Sequence, residues 1–540
     1  MNKSEIVINY HERTKHHFNK LARSLGYLDW ANQPNPFRFY EGAENVELPL
    51  INKDPDYTYE YLYKKVNKIQ PFNKYTVSKF LELSLGLSAW KSIPGSQWSL
   101  RMNPSSGNLH PTESYLILPF ENLEGVFHYN PLIHNLEKLC HIEREVSDLI
   151  EIHFGTDGFL LGLTSIFWRE AWKYGERAYR YCNHDVGHAI ASIRFSANLL
   201  GWKVKVLNSV SDKQISTVFG LDKRNWVKDE EEFPEIICFV YPDKVKDVPD
   251  NLPESFVEYF SSKEFIGKPN RLSKEHVRWE IIYQVAEAAE KLETETEEVN
   301  LLEKDLSFIP SPFKAPEIIR KRRSAVAYDR RTFMPKEVFI SILEKTLEIK
   351  GFSPFDVELN KPEINLAIFV HRVKGLEQGL YFYVRDRDLF NLFKDITSTD
   401  FLWEEILPDL YLLYRGNFET TAKLVSCRQD IAGDSCFSLG MISYFKPEIE
   451  KKPYRYRYLH YEAGMVGQVL YLEAEAHNFR GTGIGCFFDD AVHEILGLKN
   501  NTFQTIYHFT VGKHLEDTRL RTLPPYYHLP EDRFLENFEF

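Results

Sequence analysis

The sequence predicts an α+β protein built from two copies of one domain. Three observations predict it. The chain has 540 residues, more than one hydrophobic core ordinarily serves. Strand-like and helix-like hydrophobic patterns alternate in both halves. The pattern also repeats: Arg457-Tyr458, Glu462, Gly464 and Leu472 follow the order of Arg180-Tyr181, Asp185, Gly187 and Phe195. The offset is 277 residues both from Tyr181 to Tyr458 and from Gly187 to Gly464. A repeat that long implies duplicated domains, not a solenoid.

Bulk properties narrow the function. The net charge of −12 and the lack of a basic block exclude a general nucleic-acid binder. The six cysteines, at 140, 182, 238, 427, 436 and 486, are scattered without a CxxC pair. That predicts a reducing, cytoplasmic setting with neither metal nor disulfide framework. The N-terminal residues lack an apolar signal core. The longest apolar run, residues 159–168, is too short to span a bilayer, so no membrane association is expected.

Residues 1–55 read as an N-terminal arm. Within it, Thr14-Lys15-His16-His17-Phe18 reads as a solvated helix start rather than a metal cluster. Prolines at 34 and 36 give residues 29–38 an extended path. The first domain, 56–255, opens with a buried helix over 76–90, carried by Val77, Phe80, Leu81, Leu83, Leu85 and Leu87. Strands follow at 114–118 and 125–129. A helix over 173–200 carries Val186, Ile190, Ile193 and Ala197 near helical spacing, and a strand covers 233–241.

Residues 243–272 are rich in Pro, Lys, Asp and Ser, and mark the boundary. The linker, 256–305, carries a bridging helix. Ser273 is its expected cap and Val277, Ile281, Val285, Ala289 and Leu292 its apolar face. The acidic run 293–298 closes it as a solvated end. The second domain, 306–540, has a helix over 336–348 and a strand at 379–383 that echoes 125–129.

The stretch Arg101-Met102-Asn103-Pro104-Ser105-Ser106-Gly107-Asn108-Leu109-His110-Pro111 is a shaped loop, because Pro fixes φ and Gly frees it. Its hydroxyls, amide and backbone N–H groups suit a polyoxygenated heteroaromatic ligand; an ordinary connection is the alternative. Arg322-Arg323-Ser324 offers guanidinium forks and a hydroxyl to a phosphate dianion, against the alternative of a surface basic run. Gly481-Thr482-Gly483-Ile484-Gly485 follows no expected strand, so it is not a dinucleotide fingerprint. A glycine turn ending a helix is its plain reading. His184 and His188 have zinc-site spacing, but no third ligand is evident and the repeat counterpart at 461–465 has no His. A helix His pair without metal is expected.

Pro104-Ser105-Ser106-Gly107-Asn108 with Pro111 resembles the flavin-contacting loop of the nitroreductase superfamily. Its surroundings resemble the SagB/ThcOx-type dehydrogenases, FMN enzymes that oxidise azoline rings in ribosomal peptides. The resemblance recurs at 173–201, 322–328, 458–490 and 511–513. It implies two tandem nitroreductase-like domains forming an intramolecular pseudodimer, with FMN between them. Arg101, Pro104, Ser105, Ser106 and Asn108 would contact the flavin from the first half. Arg322, Arg323, Ser324 and Lys513 would grip the phosphate, and Gly485, Cys486 and Phe487 would approach the ring. Val326 departs from the family, where a cation often stands. Residues 351–356, the expected loop of the second half, lack the Ser-Ser-Gly-Asn signature, so one composite site is expected.

Lys173-Tyr174 resembles the Lys-Tyr pair implicated in proton transfer in azoline dehydrogenases. If helical, Arg177 and Arg180 would lie one and two turns on and lower the Lys pKa. The implied activity is dehydrogenation of a peptide or small molecule. The alternatives are an NAD(P)H-dependent nitro or quinone reductase and a non-catalytic docking scaffold. Peptide-modifying enzymes are the implied partners, and the chain is expected as a monomeric pseudodimer or a homodimer.

Overall fold

A computed structural model describes residues 2–540. Each half is built on a seven-stranded antiparallel sheet. In the first, the order across the sheet is Trp202–Val206, Phe233–Pro242, Phe159–Ser165, Thr112–Phe120, Leu123–Asn130, Asn135–Cys140 and Glu44–Glu47. In the second it is Arg480–Ile484, Phe503–Gly512, Phe437–Tyr444, Ile364–Val370, Gly379–Tyr383, Leu410–Arg415 and Glu404–Leu407. Six positions correspond. The seventh comes from the N-terminal arm in one half and from a local hairpin in the other.

Alternation along each strand explains the layering, since successive side chains point to opposite faces. Leu116 and Leu118 enter the large core shared by both halves, whereas Tyr115 and Ile117 enter a smaller outer core. In the second half Leu366 and Ile368 face inward, and Ala367 and Phe369 outward.

Two 22-residue helices, Ala178–Leu199 and Arg455–Ala476, occupy the centre, and every residue of both is buried. They cross where each carries glycine. A Cβ at Gly187 would lie 2.1 Å from the Tyr461 carbonyl oxygen, and one at Gly464 would lie 2.2 Å from that of His184. Each helix sends an arginine to the opposite half: Arg180 Nη1 lies 2.7 Å from Asp489, and Arg457 Nη1 lies 2.6 Å from Asp212. Both members of these ion pairs keep the 277-residue offset. The repeated sequence thus folds as an internal, near-twofold pair.

The termini tie the halves together. Tyr10, on the helix Lys3–Arg13, donates to the Glu176 carbonyl, and Glu12 accepts from Asn501. At the other end, Arg521–Leu523 pairs with Leu87–Ile93, and Phe534–Leu535 pairs with Leu50–Ile51.

Several expected elements are corrected. The first helix ends at Ser84, and residues 87–93 form a strand instead. The 173–200 helix is broken: Phe167–Tyr174 ends at Gly175, whose φ of +56° favours glycine, and a tighter turn precedes Ala178–Leu199. Ser273 is not a cap. Its hydroxyl accepts from Trp168 and donates to the Asn32 carbonyl, and the bridging helix is only Glu280–Ala288. Its acidic tail is not simply solvated, because Glu297 pairs with Lys452. The helix at 336 stops at Glu344. Residues 14–18 are no solvated helix start: Lys15 and His16 are buried against Asp489 and Asp490.

Candidate functional site

The loop after Arg101 is held in a conformation its residues can adopt. Gly107, Asn108 and His110 have φ of +62°, +59° and +53°; Gly and Asn tolerate that region best. Gly107 has a second reason to lack a side chain: its Cβ would lie 2.6 Å from Tyr174 Oη and 3.3 Å from Lys173 Nζ. Asn108 donates to the Ser99 carbonyl at 2.9 Å, which anchors the loop to the preceding strand. Ser105 Oγ donates to Asp185 Oδ2 at 2.7 Å. Ser106 donates to Asp185 Oδ1 through its backbone N–H and its hydroxyl, both at 3.1 Å.

This loop borders a cleft built from both halves. One end is a cavity of about 230 Å³, where Tyr174, Tyr181 and Asp185 face Gly485, Cys486 and Tyr507. The other end is larger, about 770 Å³, and includes Arg101, Asn108, Arg322, Arg323, Val326 and Arg480. Pro104, Ser105, Gly107 and Ser324 line both, so the two ends are continuous.

The glycine stretch is itself an edge strand, Arg480–Ile484, rather than a helix-ending turn. Its alternate glycines make room for aromatic rings. Added Cβ atoms would lie 2.6 Å from Phe509 at Gly481, 2.2 Å from Tyr507 at Gly483 and 2.5 Å from Tyr181 at Gly485. Close ring packing therefore explains the pattern.

The cation-rich end has unusual electrostatics. Arg322 is 4% exposed, and its guanidinium donates only to the carbonyls of Met102, at 3.1 Å, and Arg101, at 3.0 Å. Arg323 donates to the carbonyls of Arg320, Arg322 and Ser88. Among the described residues, no carboxylate lies within ion-pair distance of either guanidinium. Burial lowers the pKa of both, and that of Arg323 to about 10. Burial likewise takes Arg101 to about 10, and its Nε has no partner among the described residues. Arg480, by contrast, is paired with Glu475 and Glu516, each at 3.0 Å.

The expected site residues do not all converge. Arg101, Pro104, Ser105, Ser106, Asn108, Tyr174, Arg322, Arg323, Ser324, Gly485 and Cys486 line the cleft. Lys173 stands behind Gly107. Phe487 does not line it: its ring is buried, stacked on His508 at 4.4 Å. Lys513 also lies outside, donating to the Asn478 carbonyl at 2.8 Å, whereas Arg480 lines the cation-rich end. Arg177 and Arg180 lie beyond the Gly175 break and are held by Asp489, at 3.1 and 2.7 Å. Cys486 forms a disulfide with Cys427, so the expectation of a chain without disulfides fails. His188 bonds Gln468 and Tyr507, each at 3.0 Å, while His184 stacks on Tyr507.

Sequence reasoning passed over Asp185, Tyr181, Tyr471 and Tyr507 as site residues. Asp185 stood out only as a repeat marker. Its distance from Tyr181, one helical turn, places both on one face and was the available signal.

The nitroreductase family profile matches residues 413–513. The chain is similar to the nitroreductase family over that segment, within the second half. Over nearly its whole length it also shares the fold of a solved protein from Anabaena variabilis named as a candidate nitroreductase. The identity is 23% and the TM-score 0.69, with 94% of this chain and 99% of that one covered. One chain of the E. coli microcin synthetase McbBCD complex, solved with truncated pro-MccB17 bound, aligns at 21% identity and a TM-score of 0.26. It covers 45% of this chain and 94% of that one. No curated protein matches. Among the described residues, no helix is long and apolar enough to cross a membrane.

The residues of the nitroreductase-fold cleft fit FMN. The buried guanidinium of Arg322 and the half-buried one of Arg323, both without carboxylate partners, are a donor set for a phosphate, and a buried cation bonded only to carbonyls is costly without an anion. At the other end the cavity is lined by Gly107, Gly483 and Gly485 and by Tyr174, Tyr181, Tyr471 and Tyr507.

Proposed function

We propose that this chain is an FMN-dependent oxidoreductase with one cofactor site, shared between its halves. The observation that carries this is the cleft itself: uncompensated Arg322 and Arg323 at one end, a cavity lined by glycines and tyrosines at the other, and walls from both repeats. When bound, FMN supplies two-electron hydride chemistry. Arg322, Arg323 and Ser324 would hold its phosphate, and the 104–108 loop with Gly485 and Cys486 would border its ring. Because both halves are in one chain, the site needs no second copy.

The finer reading is SagB-type dehydrogenation of an azoline-like bond in a peptide or small molecule. Two features support it: the Lys173-Tyr174 resemblance, and the position of Tyr174 on the ring-side cavity with Lys173 against the same Gly107. Tyr174 orients the reacting group, and Lys173 exchanges the proton. Peptide-modifying enzymes as partners belong to this same reading.

The test is reconstitution of the purified chain with FMN, followed by absorption spectroscopy and anaerobic mixing with an azoline peptide or NADPH. A yellow protein bleached by the azoline peptide supports the dehydrogenase. Rapid bleaching by NADPH alone makes it a reductase. A chain that stays colourless overturns the proposal.

A further inference from the structure

Behind the serine loop lie two carboxyl groups that no ion pair balances. Asp185, on the central helix Ala178–Leu199, is 2% exposed, and Glu170, on Phe167–Tyr174, is fully buried. Both converge on one hydroxyl: Ser105 Oγ is 2.7 Å from Asp185 Oδ2 and 3.4 Å from Glu170 Oε1. The two carboxyls also act on each other: Asp185 raises the proton affinity of Glu170, and Glu170 lowers that of Asp185. Glu170 Oε2 has no partner among the described residues.

The surroundings offer little to neutralise a double negative charge. From the helix of Glu170, Lys173 and Tyr174 face the pair; Lys173 acts on Glu170 through space, without ion-pair contact among the described residues. From the helix of Asp185 come Tyr181, Cys182 and His188, with His184 next to Asp185 in the chain, and from the second half Tyr507. Burial pushes the Cys182 thiol and the Tyr174 and Tyr507 hydroxyls up, so they stay neutral. Burial pushes His184 and His188 down, so they supply no charge. The pair is thus a buried acid dyad with one partly distant cation.

We propose that Asp185 and Glu170 act as one proton-holding unit, which takes up and returns a single proton at the wall of the ring-side cavity. The inference rests on the reading that this cleft is the redox site. Asp185 lines the cavity beside Tyr174, whereas Glu170 does not reach it. Asp185 is therefore the exchanging member, and Glu170 is a positioning residue that sets its proton affinity.

Only a proton passes through the pair. Oxidising a substrate C–H bond by hydride loss releases one further proton. With Glu170 holding its own proton, an Asp185 oxygen accepts the released one after Lys173 has taken it from the substrate, and the pair goes from one negative charge to neutral. Return of that proton to water through the cavity resets the pair. Burial fits this role: it raises Asp185 to about 7, and burial together with Asp185 raises Glu170 well above the usual carboxylate range.

Infrared spectroscopy of the full chain across pH tests this with or without flavin. The expected result is a protonated-carboxyl band that titrates near neutral pH and is absent in Asp185→Asn. In Glu170→Leu, which leaves the serine bonds to Asp185 in place, the midpoint moves up, because Glu170 lowers the proton affinity of Asp185. A purely structural pair would give no such shift. No neutral-pH band in the wild type, or an unmoved midpoint in Glu170→Leu, overturns the dyad. Potentiometry of the flavin-loaded chain tests the coupling. The midpoint potential plotted against pH should bend near neutral in the wild type and lose that bend in Asp185→Asn. A straight wild-type plot overturns the proton role. A chain that binds no flavin sinks the proposed function instead, and the infrared titration still decides the dyad.

Discussion

The Cα of Gly187 lies only 2.9 Å from where a Cβ on Gly464 would stand. These residues are repeat counterparts, and they meet each other at the axis of the internal dimer. The close approach brings two wholly buried helices together, and from those helices Arg180 and Arg457 reach across to Asp489 and Asp212. Gly464→Ala would force a methyl into the His184 carbonyl. Overpacking of this kind costs about 1–3 kcal/mol. Denaturant unfolding should show that loss; unchanged stability would mean the crossing relaxes freely.

Flavin affinity should depend on Arg322 and Arg323. Removing either guanidinium takes away charge-assisted bonds of about 1.5–3 kcal/mol each, so FMN affinity should fall roughly tenfold or more. Lys513→Ala should change it little, because that side chain lies outside the cleft. Fluorescence titration with FMN separates the three variants. Equal losses in all three would show that the phosphate sits elsewhere.

Much of this arrangement was legible in the sequence. The 277-residue offset gave the two central helices, since buried helix positions are constrained on every face. The Pro104–Asn108 stretch gave one wall of the cleft, because Pro and Gly mark a shaped loop. What escaped depended on partners distant in sequence. Nothing local in residues 480–484 reveals that Phe509, Tyr507 and Tyr181 press on alternate glycines, so the stretch read as a turn. The Gly175 break also hid within a helical pattern, and with it the separation of Lys173 from Arg177. The second-half counterpart of the serine loop was misplaced at 351–356. The structure puts it at 360–363, where Asn360 and the Glu363 N–H bond Glu462 as the serines bond Asp185.

The Cys427–Cys486 disulfide fixes the loop that borders the ring-side cavity to the end of the helix Glu419–Val425. Only the four cysteines 140, 182, 238 and 436 are free. Thiol titration of the unfolded, unreduced chain should therefore find four reactive groups, rising to six after reduction. Six without reductant would remove the crosslink from the account.

Stability should carry the signature of Asp185. Burial raises its folded pKa to about 7, above the unfolded value near 4. The folded state then binds more protons between those values, so this contribution is full below about pH 4 and is lost as pH rises through about 7. The stability difference between wild type and Asp185→Asn should shift against the wild type across that window. A difference independent of pH would show that Asp185 titrates as an ordinary carboxyl.

The central claim is one flavin per chain. The repeat counterpart of the cleft is present, lined by Tyr458, Asn360 and Lys361, but its volume is only about 80 Å³. The linker closes it: Lys291, Thr294, Glu295, Glu297 and Glu298 line it, and Glu297 is tied to Lys452. Quantifying flavin released by denaturation against protein concentration, after saturation and removal of free FMN, tests this most directly. The account predicts a ratio of one, and a ratio of two would contradict it.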